Sequence, residues 1–345
     1  MNNLKNQFNF MTTGIGSVSF NNPKPALEYI FDYVDIPFWP QLTNLSKFES
    51  MGLQFSENIP CLKQENKDLV YEASSCEKNL ERCYEHIIAE DTGFFKISTE
   101  YAQGLYAFLD FLKKKNTSRG YIKGHTTGPF SFAAAVKKEK GLLLADSVMM
   151  EVITKALAMK ALWQVRELKK FSEQVMFFID EPYLSCFGSG FTSINKEIVQ
   201  LYLSQFIDLL RKEQVLIGIH CCGNTDWGLL MGLDIDIINF DAFNFADKFL
   251  LYSQDIKEFL QKGGILAWGI VPTNGYKDDI TSNELKNSIN SYMETLEKKG
   301  IDHSLVASNS LITPSCGLGS IEKDINQSIF KLLKSTADLL KKELS

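Results

Sequence analysis

Short runs of aliphatic and β-branched residues alternate along the chain with longer segments whose apolar positions recur at three and four spacing. The first pattern predicts buried strands and the second amphipathic helices, and their regular alternation predicts a parallel sheet with crossover helices. Eight strands are expected, ending at Ser17 in "TTGIGS", Gln41 in "IPFWPQ", Thr126 in "RGYIKGHT" and Asp180 in "QVMFFID". The other four end at His220 in "VLIGIH", Asp241 in "IDIINFD", Val271 in "GILAWGIV" and Ser315 in "SLVASNSLITPS". Helices are expected in "PKPALEYIFDYV", "EIVQLYLSQFIDLLRKE" and "SNELKNSINSYMETLEKKG". Eight such units predict an α/β fold of the TIM (β/α)8 type, one domain over residues 1–345. The stretch 43–96 is too long for one strand-to-helix connection and is expected to be an insertion after the second strand, a hairpin followed by a helix near the barrel mouth.

Composition narrows the class without changing this picture. A hydrophobic fraction of 45%, a charged fraction of 23% and a net charge of −6 describe an ordinary cored protein, and the acidic balance argues against nucleic acid or an anionic membrane as partner. No signal-like or membrane-spanning apolar run occurs, so the expected location is cytoplasmic. The seven cysteines are odd in number and scattered, which predicts no disulfide framework and leaves metal ligation or burial to explain them.

The chemistry concentrates at the predicted strand ends, where barrel active sites form. His220 and Cys222 in "HCCGN" are two residues apart and face the same side of an extended strand end, with Cys221 pointing away as a packing residue. Cys316 in "TPSCGLGS" follows the last strand and supplies a third soft donor. Three such ligands with one open position make a catalytic zinc site, and a thiol entering the open position becomes a nucleophilic thiolate. "GIGSVS" and "CGLGSI" lack the full spacing of a dinucleotide-binding glycine loop, so Rossmann-type binding is not expected.

Taken in order, "TGIGS", "GHTTGPFSF", "FFIDEPYLS", "HCCGN" and "PSCGLGS" resemble the barrel superfamily of cobalamin-independent methionine synthase, zinc-dependent corrinoid methyltransferases and uroporphyrinogen decarboxylase. The resemblance runs through most of the chain and is nearest to short single-barrel methionine synthases. It implies His220, Cys222 and Cys316 as zinc ligands, with Asp241 as a fourth candidate ligand or a substrate contact. It also implies Ser17 at the carboxylate of homocysteine and Asp180 at its amino group, with Glu181 supporting the site from outside.

Two departures bear on the methyl donor. Where the resemblance places a pterin-stacking tryptophan and a leaving-group histidine, this sequence has Ala135 and Val271. Methyl on a folate nitrogen needs a general acid to leave, whereas methyl on cobalt needs none. The expected reaction is therefore methyl transfer from methylcobalamin or another methylcorrinoid, carried by a separate corrinoid protein, to homocysteine, giving methionine. His125 is the residue that could supply an acid and keep methyltetrahydrofolate as an alternative donor. Coenzyme M is the alternative thiol. A decarboxylase is disfavoured because no arginine precedes Arg82, and a non-catalytic zinc or corrinoid carrier is the remaining alternative.

Overall fold

In the computed structural model, the described residues are 7–115, 120–187 and 194–344. Ten strands occur among them: β1 Met11–Thr12, β2 Leu62–Glu65, β3 Asp68–Tyr71, β4 Ile122–Thr127 and β5 Val136–Lys137, then β6 Val175–Asp180, β7 Leu216–Cys221, β8 Ile237–Phe240, β9 Ile265–Val271 and β10 Ser310–Pro314. Seven of them form one parallel sheet in the order β1-β10-β9-β8-β7-β6-β4, which curls into a TIM-like half-barrel.

The second expected strand is not a regular ladder member. Residues 36–41 run between the two edges of the sheet: the Ile36 N–H donates to the Thr12 carbonyl at 2.9 Å, and the Lys123 N–H donates to the Pro37 carbonyl at 2.8 Å. Pro37 and Pro40 have no N–H to give, so only isolated bridges form, at Ser17 with Gln41 and at Phe38 with Lys123.

Strand alternation divides the apolar residues into two cores. Met176, Phe178, Ile237, Ile265, Ala267 and Leu311 share one face and form a small inner cluster with Phe8 and Ile36. The opposite faces of the strands pack against the helices in a much larger cluster. The three expected helices are present as Pro23–Tyr33, Lys196–Arg211 and Ser282–Lys298, the last opened by a capping box between Thr281 and Glu284. No helix among the described residues is long and apolar enough to cross a membrane.

Residues 43–96 hold a hairpin and a helix. Antiparallel β2 and β3 extend through a parallel pairing with β5, and the helix Cys76–Ile88 follows. That helix packs against Ser147–Lys169, which is buried around most of its circumference. One expectation is corrected here: Cys61 and Cys76 are disulfide-bonded, with Cα atoms 4.5 Å apart. The hairpin pairs Leu62 with Tyr71 and so returns the chain to Cys61, a proximity that spacing alone does not reveal. The other five cysteines are not in disulfides.

The helix Gln103–Lys115 starts against the end of the 36–41 segment. A Cβ on Gly104 would lie 1.7 Å from the Pro40 carbonyl oxygen, while the Gly104 N–H donates to buried Glu49 at 3.1 Å. Gly104→Ala is expected to destabilise the protein by about 1–3 kcal/mol through overpacking, read as a lower urea midpoint. An unchanged midpoint would mean that this junction shifts freely.

Candidate metal centre and adjoining cavity

β7 is apolar up to His220, and its inner face carries Gly218, His220 and then Cys222 just beyond the strand. Gly218 is a steric requirement, since a Cβ there would meet the Phe178 ring at 2.6 Å. His220 is buried, and its Nδ1 lies 2.5 Å from the Asn239 side-chain oxygen on β8. The Asn239 amide nitrogen donates to the Ala267 carbonyl and the Thr313 hydroxyl, both at 2.9 Å. With both amide hydrogens committed, the Asn239 oxygen must accept from His220 Nδ1–H, so Nε2 keeps the free lone pair.

The donor atoms of His220, Cys222 and Cys316 all lie within 4.8 Å of one another. Ligands at 2.0–2.3 Å around a tetrahedral ion stand roughly 3.3–3.8 Å apart, so these donors would have to draw together by up to about 1 Å, a side-chain adjustment, to hold such an ion. Cys222 and Cys316 share a hydrogen bond that lowers the pKa of the first thiol and raises that of the second. Burial lowers His220, but its contact with Cys316 and the nearby Asp180 carboxylate outweigh this and hold it above its ordinary value. Cys221 points elsewhere: burial pushes its thiol up to about 12, and its Sγ lies 3.5 Å from the Gly223 carbonyl.

A cavity of about 450 Å³ opens beside these ligands and is also lined by Ser17, Gln41, His125 and Asp180. Ser17 is held by the glycine turn after Cys316, its Oγ accepting from Gly319 N–H at 3.2 Å. A Cβ on Gly317 would lie 2.2 Å from that oxygen, which explains a glycine there. Asp180 sits beside His220 in the strand register, half-buried, with Oδ1 enclosed and lacking any partner. Burial pushes its carboxyl up to about 6, against the pull of His220 and Lys123.

Other expected residues take different places. Asp241 is outside the three-residue donor group: it caps the helix Ala242–Phe249, its two oxygens accepting from the Asn244 backbone at 2.9 Å and side chain at 2.7 Å. Glu181 is buried away from the cavity wall and accepts from the N–H groups of Phe130 and Ser131 and from the Ser131 hydroxyl. Burial pushes its carboxyl up to about 7 despite those three donors. Ala135 is exposed and Val271 is fully buried, and neither lines the cavity.

Several neighbours of the site escape a reading by strand ends. Asn239 lies inside an apolar strand, and Lys123 is fully buried, with Nζ donating to the Ile15 carbonyl at 2.5 Å and 4.4 Å from the Phe178 ring centre. Met51 and Phe55 reach the cavity from the 43–96 stretch. The available signal is a polar side chain on the inner parity of an apolar strand, which singles out Asn239 and Lys123.

Asn239→Ala is expected to weaken metal binding about 10–100-fold, because His220 loses the acceptor that fixes its tautomer and ring plane. Competition against a chromophoric chelator measures this, and unchanged affinity would remove Asn239 from the site.

No protein-family model matches the chain, and no curated protein matches it. Among solved structures, a methyltransferase from Methanosarcina mazei aligns over 97% of this chain and 94% of its own, with a TM-score of 0.57 and 10% identity. A B12-independent methionine synthase from Shewanella sp. W3-18-1, solved in complex with selenomethionine, aligns over 69% of this chain and 67% of its own at 0.49 and 16%. A modular endo-β-1,4-mannanase from Cellulomonas fimi aligns over 68% and 57% at 0.37 and 14%. The Methanosarcina mazei alignment supports a shared fold along nearly the whole of both chains; the other two are too loose to add to it.

Proposed function

We propose that the protein is a zinc-dependent thiol methyltransferase that moves a methyl group from a methylcorrinoid to homocysteine, forming methionine. The observation that carries this reading is the clustering of the His220, Cys222 and Cys316 donor atoms within 4.8 Å beside a cavity of amino-acid size. The architecture is read as a single (β/α)8 domain, with residues 36–41 as the irregular second stave.

When bound by these three residues, zinc supplies an electrophilic centre that favours the thiolate form of a substrate sulfur. The chain does the rest. Asn239 keeps His220 in the tautomer that offers Nε2. Asp180 brings a buried carboxylate oxygen that needs a donor, which an ammonium group provides. Ser17 offers its hydroxyl to a carboxylate. Asp241 acts on the site from its helix cap: burial raises its pKa overall, while His220 is near enough to pull it the other way.

A methylcorrinoid is favoured over methyltetrahydrofolate because neither Val271 nor His125 can serve as a histidine acid for the leaving nitrogen. Val271 is apolar, and burial together with the Lys123 ammonium holds the His125 imidazole well below its ordinary range. The test is an anaerobic assay of zinc-loaded protein with homocysteine and methylcobalamin, following methionine. Zinc-dependent turnover is expected, and turnover with methyltetrahydrofolate alone would reverse the choice of donor. Asp180→Asn should cut turnover with homocysteine sharply; equal activity of the variant would point to a thiol without an amino group, such as coenzyme M.

A further inference from the structure

Among the buried side-chain atoms that lack a hydrogen-bond partner are both ring nitrogens of His125, a residue that lines the cavity beside the metal-ligand candidates. We infer that His125 recognises the carboxylate of an amino-acid thiol and thereby sets the class of acceptor. This deepens, and rests on, the thiol-methyltransferase reading.

The imidazole is fixed without using its nitrogens. Residue 125 is 1% exposed, and its ring stacks on Trp39 with centres 3.9 Å apart and planes 16° apart. Trp39 is itself held by its indole N–H donating to Gln164 at 3.1 Å. The Nε2 edge faces Gly16, where a Cβ would lie 2.7 Å from both Cε1 and Nε2. His125 thus stands against the segment after β1 that carries Ser17. Ser17 Oγ already accepts from Gly319, so its hydroxyl hydrogen remains for a ligand.

A neutral imidazole retains one N–H donor, and its burial disfavours protonation. Two donors on one wall suit an anion. The unpaired Asp180 oxygen on the same cavity suits a cation. The ligand that satisfies all of these is a zwitterion with a thiol long enough to reach the metal ligands. A site built to donate to a carboxylate rejects an analogue lacking it, since its buried donors are then left unpaired.

Calorimetric titration of zinc-loaded wild-type and variant proteins with homocysteine and with 3-aminopropane-1-thiol, its carboxylate-free counterpart, tests the assignment without turnover. His125→Leu removes both nitrogens without adding bulk and should weaken homocysteine at least ~10-fold while moving the amine thiol less than about twofold. His125→Gln restores an N–H near Nε2 and should recover part of the loss. Equal weakening of both thiols in His125→Leu, or no weakening of either, would overturn the assignment. If homocysteine fails to bind wild-type protein while the amine thiol binds, the carboxylate role falls but thiol binding stands. If neither binds, the thiol-methyltransferase reading fails and takes this inference with it. Zinc content and circular dichroism of each variant separate these outcomes from misfolding.

Discussion

Cys316→Ser is expected to abolish stoichiometric zinc binding while leaving the secondary structure intact. Cys316 lies in the turn after β10 and not in a strand, so the substitution disturbs no ladder hydrogen bond. It replaces a soft sulfur donor by a hydroxyl that zinc binds poorly, leaving His220 and Cys222 as the only protein ligands. Affinity should fall by more than ~100-fold, beyond the range expected for removing an outer partner such as Asn239. Metal analysis after dialysis against a weak chelator measures it. A variant that retains full zinc would show that the three donors do not form a metal site.

Glu181→Ala should cause the largest loss of stability, roughly 2–5 kcal/mol, because two backbone N–H groups and one hydroxyl lose a buried acceptor. Those donors open the helix Pro129–Ala135, and Gly128 before it has no room for a Cβ beside the Glu181 side chain. The Ser131 hydroxyl also accepts from Tyr183 N–H at 3.0 Å, so the same carboxyl organises the turn after β6. Glu181→Gln keeps the volume and one acceptor oxygen and should lose less. Urea unfolding reads both, and a midpoint that does not move in Glu181→Ala would mean that water replaces the carboxylate at no cost.

Much of the architecture is legible from periodicity. The helices at Pro23–Tyr33, Lys196–Arg211 and Ser282–Lys298 follow from apolar spacing, and β6, β7, β8 and β9 from compact aliphatic runs. The donor trio is legible because two of its members share one strand end and the third follows another. Other features depend on which strands meet. Asn239 matters only because β8 lies beside β7 and within reach of Thr313 on β10. The Cys61–Cys76 bond depends on a hairpin register. The second stave is irregular because two prolines remove donors from a segment that must still bridge two sheet edges. Asp241 looks like a rim carboxylate in sequence, and only the helix that follows shows its cap.

His220 and Cys222 come from β7, and Cys316 from the end of β10, with β8 and β9 lying between in the sheet. An ion held by all three would act as a hoop across four staves. Because the unfolded chain cannot assemble that set, each occupied site adds RT ln(1 + [metal]/Kd) to folding, about 2.7 kcal/mol at a hundredfold excess over Kd. The melting temperature of the protein would then serve as a gauge of the free metal around it.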